Sequence, residues 1–299
     1  MKMVLIGANG QLGSDLLRVF QAAGDTVLPV THAQMDVCSE HSISEILSQT
    51  KPDVVLNTAA FHKVEECETK PALAFQVNGT AAMNLALACR RSGAVLVHFS
   101  TDYVFDGEKS APYKETDLPA PLNVYGASKV AGEHLIASNT DRYFLIRTCG
   151  LYGIAGSSGK GGNFVENMLR KAAAGDSIRV VEDQTLTPTY TVDLAEATRR
   201  LILTGAFGLY HLSSEGQCSW YDFTRYIFEY AGVNAQLSAV KTSDFPSPVK
   251  RPQYSVLSKT KLRTLGLSIP SWKDALPRYL QERSKKNPIV STAPVHVSG

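Results

Sequence analysis

The chain has 299 residues, 44% of them hydrophobic and 19% charged, with a net charge of +2. That length exceeds one average domain, so a large α/β unit or a main domain with a smaller companion is expected. Near-balanced charge without a sustained basic stripe argues against a nucleic-acid partner, and the basic run 283–286 reads as a solvated helix end.

The first half alternates short apolar runs with helical patterns. Residues 3–6 form a continuous β-branched run, the mark of a strand buried on both faces. A helix is predicted over 12–23, where Leu12, Leu16, Leu17, Val19 and Phe20 supply one apolar face and Gly24 a stop. A strand (26–30), a helix (43–49) and a third strand (53–56) follow, then one long Ala-rich helix over 71–92 and a strand at 95–99. A helix over 126–138 and a strand at 144–147 complete the rhythm, which predicts a doubly wound parallel sheet. Beyond it, 150–162 holds six glycines and reads as a mobile loop. Helices at 164–174, 192–203 and 219–231 and strands at 178–181 and 208–212 follow. The Pro/Ser/Thr-rich tail 287–299 is expected to be disordered.

The expected fold class is therefore α/β, a Rossmann-like doubly wound sheet with a smaller, partly discontinuous C-terminal substrate domain. Residues 1–150 would form the dinucleotide-binding unit, with 190–215 packing back onto it, and 151–189 with 216–286 the substrate-binding unit. The five cysteines (Cys38, Cys67, Cys89, Cys149, Cys218) are odd in number and lack CxxC spacing, so they read as free thiols in a reducing compartment. No unbroken apolar run approaches the roughly 18 residues of a membrane helix. A cytoplasmic protein with no membrane partner is expected.

Gly7, Gly10 and Gly13 lie in GANGQLG (7–13), between the first strand and first helix. There the first glycine permits the tight turn, the second lets a pyrophosphate approach the backbone, and the third allows close helix–sheet packing. The helix N-terminus adds free N–H groups and a positive dipole end. An NAD site carries a carboxylate about 20 positions on; here that place reads Val30-Thr31-His32. The missing carboxylate favours NADP(H) over NAD(H), and Asp36 would sit beside the adenine.

Ser100-Thr101-Asp102 directly follows the strand 95–99 and so falls at the carboxyl edge of the sheet, where ligands bind in open α/β sheets. Tyr125 and Lys129 are four apart on one helix face. Hydride addition to a ketone leaves an alkoxide that must be protonated as it forms. A phenol can do this if a nearby cation lowers its pKa from about 10. Lys129 would lower it, and Thr101 would orient the carbonyl oxygen.

These residues resemble the extended short-chain dehydrogenase/reductase superfamily, and within it the dTDP-4-dehydrorhamnose reductase family. The resemblance covers most of 1–283 through GANGQLG, NTAAFHKVEECE (57–68), HFSTDYVFDG (98–107), PLNVYGASKVAGE (121–133), RTCGLYG (147–153), GKGGNFVENML (159–169), EDQTLTPTY (182–190) and KRPQYSVL (250–257). It implies a catalytic trio of Thr101, Tyr125 and Lys129. It also implies cofactor contacts from Gly7, Gly10, Gln11, Leu12, Ala59, Ala60 and Lys129, and a nucleotide-sugar site lined by Asp102 and Tyr103 with Arg251 addressing the diphosphate. Related dehydratases carry Asp-Glu after the active-site Thr. Here Tyr103 replaces the glutamate, which favours plain reduction. The family often has Ser-Trp where this chain has Cys149-Gly150, and its loop 154–162 is longer. Cys149 reads as a buried structural thiol and His98 as a hydrogen-bonded core histidine, while His62 falls near the expected nicotinamide. Trp220, Tyr221, Phe223, Tyr226 and Phe228 read mostly as core of the smaller domain. Some members bind Mg²⁺ through glutamates at a dimer contact, so the resemblance allows Mg²⁺ and a homodimer, although no ligand cluster surrounds Asp15.

Overall fold

A computed structural model describes residues 1–156, 162–245 and 247–286. The tail 287–299 and most of loop 154–162 lie outside the described residues.

The first half runs β1 (Lys2–Ile6), α1 (Gln11–Ala22), β2 (Thr26–Val30), α2 (Glu40–Thr50), β3 (Val54–Asn57), α3 (Val64–Thr69), α4 (Pro71–Phe75), α5 (Ala81–Ser92), β4 (Val95–Thr101), α6 (Val124–Ala137) and β5 (Tyr143–Thr148). The second half runs β6 (Leu151–Tyr152), α7 (Phe164–Ala173), β7 (Ile178–Val181), β8 (Thr185–Leu186), β9 (Thr189–Tyr190), α8 (Thr191–Leu203), β10 (Gly208–His211), β11 (Cys218–Ser219), α9 (Trp220–Ala231), β12 (Leu237–Val240), α10 (Thr260–Thr264) and α11 (Trp272–Lys286).

Six strands pair in the order β10-β5-β4-β3-β1-β2, all parallel. Chain order reverses between β1 and β3, the switch point at which such sheets open a ligand crevice. Strand parity sorts the side chains. Met3, Leu5, Val97 and Phe99 pack with Leu12, Leu16 and Phe20 of α1 and Leu194 and Leu201 of α8. Val4, Ile6 and Leu96 pack with Ile43 of α2, Leu85 of α5 and Ile136 of α6. With both faces covered, the strands read as unbroken apolar runs. This is a Rossmann-like doubly wound fold. Another core, built from Tyr152, Val165, Ile178, Phe223, Ile227, Trp272 and Tyr279, holds α7, α9 and α11 around β7 and β12.

The helix predicted over 71–92 is helical throughout but not one α-helix: a π turn at Gln76–Thr80 joins α4 to α5. That turn buries Asn78, whose amide accepts from Phe61 N–H at 2.9 Å and donates to Phe61 O and Ser128 Oγ, each at 2.9 Å. The stretch Pro71–Ser92, 22 residues holding an 18-residue window of mean hydropathy 1.2, is long and apolar enough by composition to cross a membrane. A search for an unbroken apolar run overlooked it because Gln76, Asn78 and Asn84 interrupt it. Here 56% of that window is buried, with Leu85, Ala86 and Cys89 in the core beside the sheet.

Candidate active site

Register and parity build the site. Asn57 pairs with His98, and Thr101 with Thr148, across parallel strands. His98 and Ser100 share the parity of Leu96 and face α6, where Lys129 and Glu133 stand at successive turns beyond Tyr125. Asn123 starts that helix by accepting from Gly126 N–H at 2.8 Å. Above the carboxyl edge opens a cleft of about 490 Å³, within the usual range for ligand sites.

Thr101 Oγ donates to Asp102 at 3.1 Å and accepts from Tyr103 N–H at 3.2 Å. The Tyr125 phenol lines the same cleft as this hydroxyl. Burial holds that phenol above its ordinary pKa, and Asp102 and Cys67 add to the rise while Thr101 opposes it. Lys129 turns its amine toward β4. Its Nζ donates to Phe99 O at 2.7 Å and meets His98 Nε2 at 3.0 Å. Burial pushes the Lys129 amine down to about 8, against the pull of Glu133. Asp102 is raised by burial, although Ser255, Cys149 and Thr101 all hydrogen-bond to it. Cys149 Sγ lies 3.0 Å from Asp102, and burial beside that carboxylate keeps it a thiol. The five cysteines are free.

The turn before α1 suits a phosphate. Gly10 caps the helix without a side-chain bond, and the first turn carries no acid. Two buried polar atoms on the cleft residues, Gln11 Oε1 and Thr148 Oγ, have no protein partner. Gly7 adopts φ +79°, and a Cβ on Gly13 would lie 2.2 Å from Gly7 O. The clash is with backbone, so α1 must move off the turn. Gly13→Ala should therefore cost about 1–3 kcal/mol of stability and weaken NADPH binding, seen together by thermal melting with and without NADPH. Unchanged melting and affinity would refute this account of the turn.

Of the sequence-predicted residues, Gly10, Gln11, Leu12, Gly13, Ala60, Thr101, Asp102, Tyr103, Tyr125 and Lys129 line the cleft, as does His62. Gly7, Asp36, Ala59 and Arg251 do not. Asp36 is exposed, and its carboxylate accepts from Cys38 N–H at 2.9 Å. Arg251 is held by Glu65 and by Ser247 at 3.2 Å, beside Tyr103. Trp220, expected in the core, packs against that core and also lines the cleft, with its ring centroid 4.3 Å from that of Phe164. Sequence reasoning missed Thr148, Asn163, Phe164, Leu186 and Ser255 altogether. His98 is buried as expected, but its contact with Lys129 was not foreseen.

The residues around Asp15 do not fit a Mg²⁺ site. Arg18 lies between Asp15 and Glu282, at 3.1 and 3.5 Å, and Thr191 donates to Asp15 at 2.5 Å. Among the described residues no cluster of three or more His, Cys, Asp or Glu could hold a metal.

Comparison with known proteins places this geometry among relatives. The family model described as RmlD substrate binding domain matches residues 1–285. The chain is 42% identical to the spore coat polysaccharide biosynthesis protein SpsK of Bacillus subtilis, covering 95% of this chain and 98% of that one. It is 37% identical to a dTDP-4-dehydrorhamnose reductase of Burkholderia thailandensis, covering 92% and 97%. A crystal structure of dTDP-4-dehydrorhamnose reductase from Bacillus anthracis in complex with NADP superposes with a TM-score of 0.90 at 37% identity, covering 94% of this chain and 99% of that one.

Proposed function

The chain belongs to the RmlD substrate binding domain family, and from that footing we propose that it is an NADPH-dependent oxidoreductase that reduces the 4-keto group of dTDP-6-deoxy-L-lyxo-4-hexulose to give dTDP-L-rhamnose. The observation that carries the reading is that Thr101, Tyr125 and Lys129 line one cleft at the carboxyl edge of the sheet, with Lys129 one helical turn beyond Tyr125.

When bound, NADPH supplies the hydride. Tyr125 gives its phenolic proton to the carbonyl oxygen as the new C4–H bond forms, so the ketone becomes a neutral alcohol. The Thr101 hydroxyl would turn its one proton from Asp102 to that oxygen and fix its position. Gly10, Gln11, Leu12 and Gly13 would hold the pyrophosphate, with Gly7, Ala59 and Ala60 shaping the surrounding backbone. Asp36 would face the adenine from outside the cleft. NADP(H) is preferred because Thr31 and His32 follow β2 where an NAD site needs a carboxylate. Asp102 and Tyr103 would contact the sugar, and Arg251 would exchange Glu65 for the diphosphate. Residues 1–150 with 190–215 would bind the cofactor, and 151–189 with 216–286 the substrate.

Tyr103 stands where a dehydratase needs a second carboxylate, and its ring meets Tyr125 edge-on at 6.0 Å. Plain reduction follows. The purified protein should oxidise NADPH stoichiometrically with this 4-keto sugar nucleotide, followed by loss of reduced-nicotinamide absorbance. Interconversion of C4 epimers without net NADPH consumption would instead identify an epimerase.

A further inference from the structure

We propose that His98 is a positioning residue which, held in one tautomer by Asn57, disfavours the ammonium form of Lys129 in the resting protein. The proposal deepens the reading of Tyr125 as proton donor and rests on it for its catalytic meaning.

The argument is one of donors and acceptors. Ala59 N–H donates to Asn57 Oδ1 at 3.1 Å, which fixes which end of the amide is which. The Asn57 Nδ2 end is then the one that meets His98 Nδ1, at 3.0 Å. An amide nitrogen only donates, so His98 Nδ1 must accept. In a neutral imidazole the proton then sits on Nε2, which points at Lys129 Nζ 3.0 Å away. An ammonium has three donors and no lone pair, so it would set hydrogen against hydrogen there. A free amine accepts from Nε2–H and still donates to Phe99 O at 2.7 Å. Every group in the chain Ala59–Asn57–His98–Lys129–Phe99 is satisfied only in that state.

His98 and Lys129 are both 1% exposed, so water cannot relieve a mismatch. Burial lowers both groups, and the charge of Lys129 lowers His98 further. The charged groups around them act as follows. Glu133, on the same helix as Lys129, favours the ammonium, but it is engaged by Arg147 of β5 and Ser100 of β4. Asp102, beyond β4, acts on Tyr125.

The consequence is directional. A lysine cation beside Tyr125 favours tyrosinate, which suits alcohol oxidation. An amine leaves the phenol protonated, which is the form a reductase must hold before hydride arrives.

Nitrogen-15 NMR of histidine-labelled protein without ligands, with His98 assigned by its loss in His98→Gln, should show the Nε2–H tautomer between neutral and mildly alkaline pH. An Nδ1–H tautomer or an imidazolium would overturn the proposal. Asn57→Asp keeps the shape but replaces the donor by an acceptor, so the tautomer should flip to Nδ1–H. The Lys129 pKa should then rise by about one unit or more, and NADPH-driven reduction should fail at lower pH than in the wild type. An unflipped tautomer in a folded Asn57→Asp protein would also overturn it. The tautomer is read without substrate, so its failure is separable from failure of the proposed reaction.

Discussion

Tyr125→Phe should lower kcat for 4-keto sugar reduction by about 10²–10⁴-fold while leaving NADPH affinity nearly unchanged. The substitution removes one oxygen from a ring that is largely buried and packed edge-on against Tyr103. The scaffold therefore stays, and the loss reports the proton. Thr101 keeps the bond it accepts from Tyr103 N–H in the variant, so its hydroxyl stays in place. The Asp102 carboxyl is the competitor, because it lines the same cleft and burial raises its pKa. If Asp102 were the donor, Tyr125→Phe would retain wild-type kcat and Asp102→Asn would lose it. Steady-state kinetics on both variants decide between the two carriers, with NADPH binding followed by fluorescence as the control.

Most of the architecture was legible because the physics that builds it is local. A parallel sheet covered on both faces demands continuous apolar strands, and the runs at 3–6, 95–99 and 144–147 say so directly. The glycine turn was legible for the same reason: Gly7 and Gly13 occupy places where a Cβ has no room. The second lobe was legible only in its longer elements α7, β7 and α9. Its β6, β8, β9 and β11 are two residues long, too short to show any period. α11 carries Pro277 in its interior, which argues against a helix by propensity alone.

The site divides in the same way. Tyr125 and Lys129 announce themselves by spacing on one helix. Trp220 does not, because a helical aromatic facing a cleft has the same sequence pattern as one facing a core. His98 was legible as buried, since it interrupts an apolar strand. Its partner was not, because the pairing of Asn57 with His98 depends on the register of β3 against β4. Lys129 shows the limit of chemical expectation: spacing placed it beside Tyr125, but its amine turns toward β4.

Glu133→Gln should destabilise the fold by about 3–5 kcal/mol, a fall in Tm on the order of 10 °C for a chain of this size. Glu133 takes a bidentate pair from Arg147, at 2.9 and 2.6 Å, and accepts from Ser100 at 2.5 Å. The two side chains are 7% and 3% exposed, so removing the carboxylate leaves a guanidinium in the interior with no counter-ion. Arg147 Nη1 already lacks a partner, and His211 offers no help because burial and Arg147 itself push it down to about 3. The cost is thus of an orphaned charge rather than of a lost bond. That distinction is testable: Glu133→Gln with Arg147→Met removes the charge as well and should recover most of the stability. A double variant as unstable as the single one would mean that Glu133 acts through Ser100 and β4 rather than through Arg147. Glu133 also favours the Lys129 ammonium, so the single variant should lower the Lys129 pKa below its value of about 8. Stability and lysine titration measured on the same protein would show one buried carboxylate serving both the fold and the proton donor's neighbour.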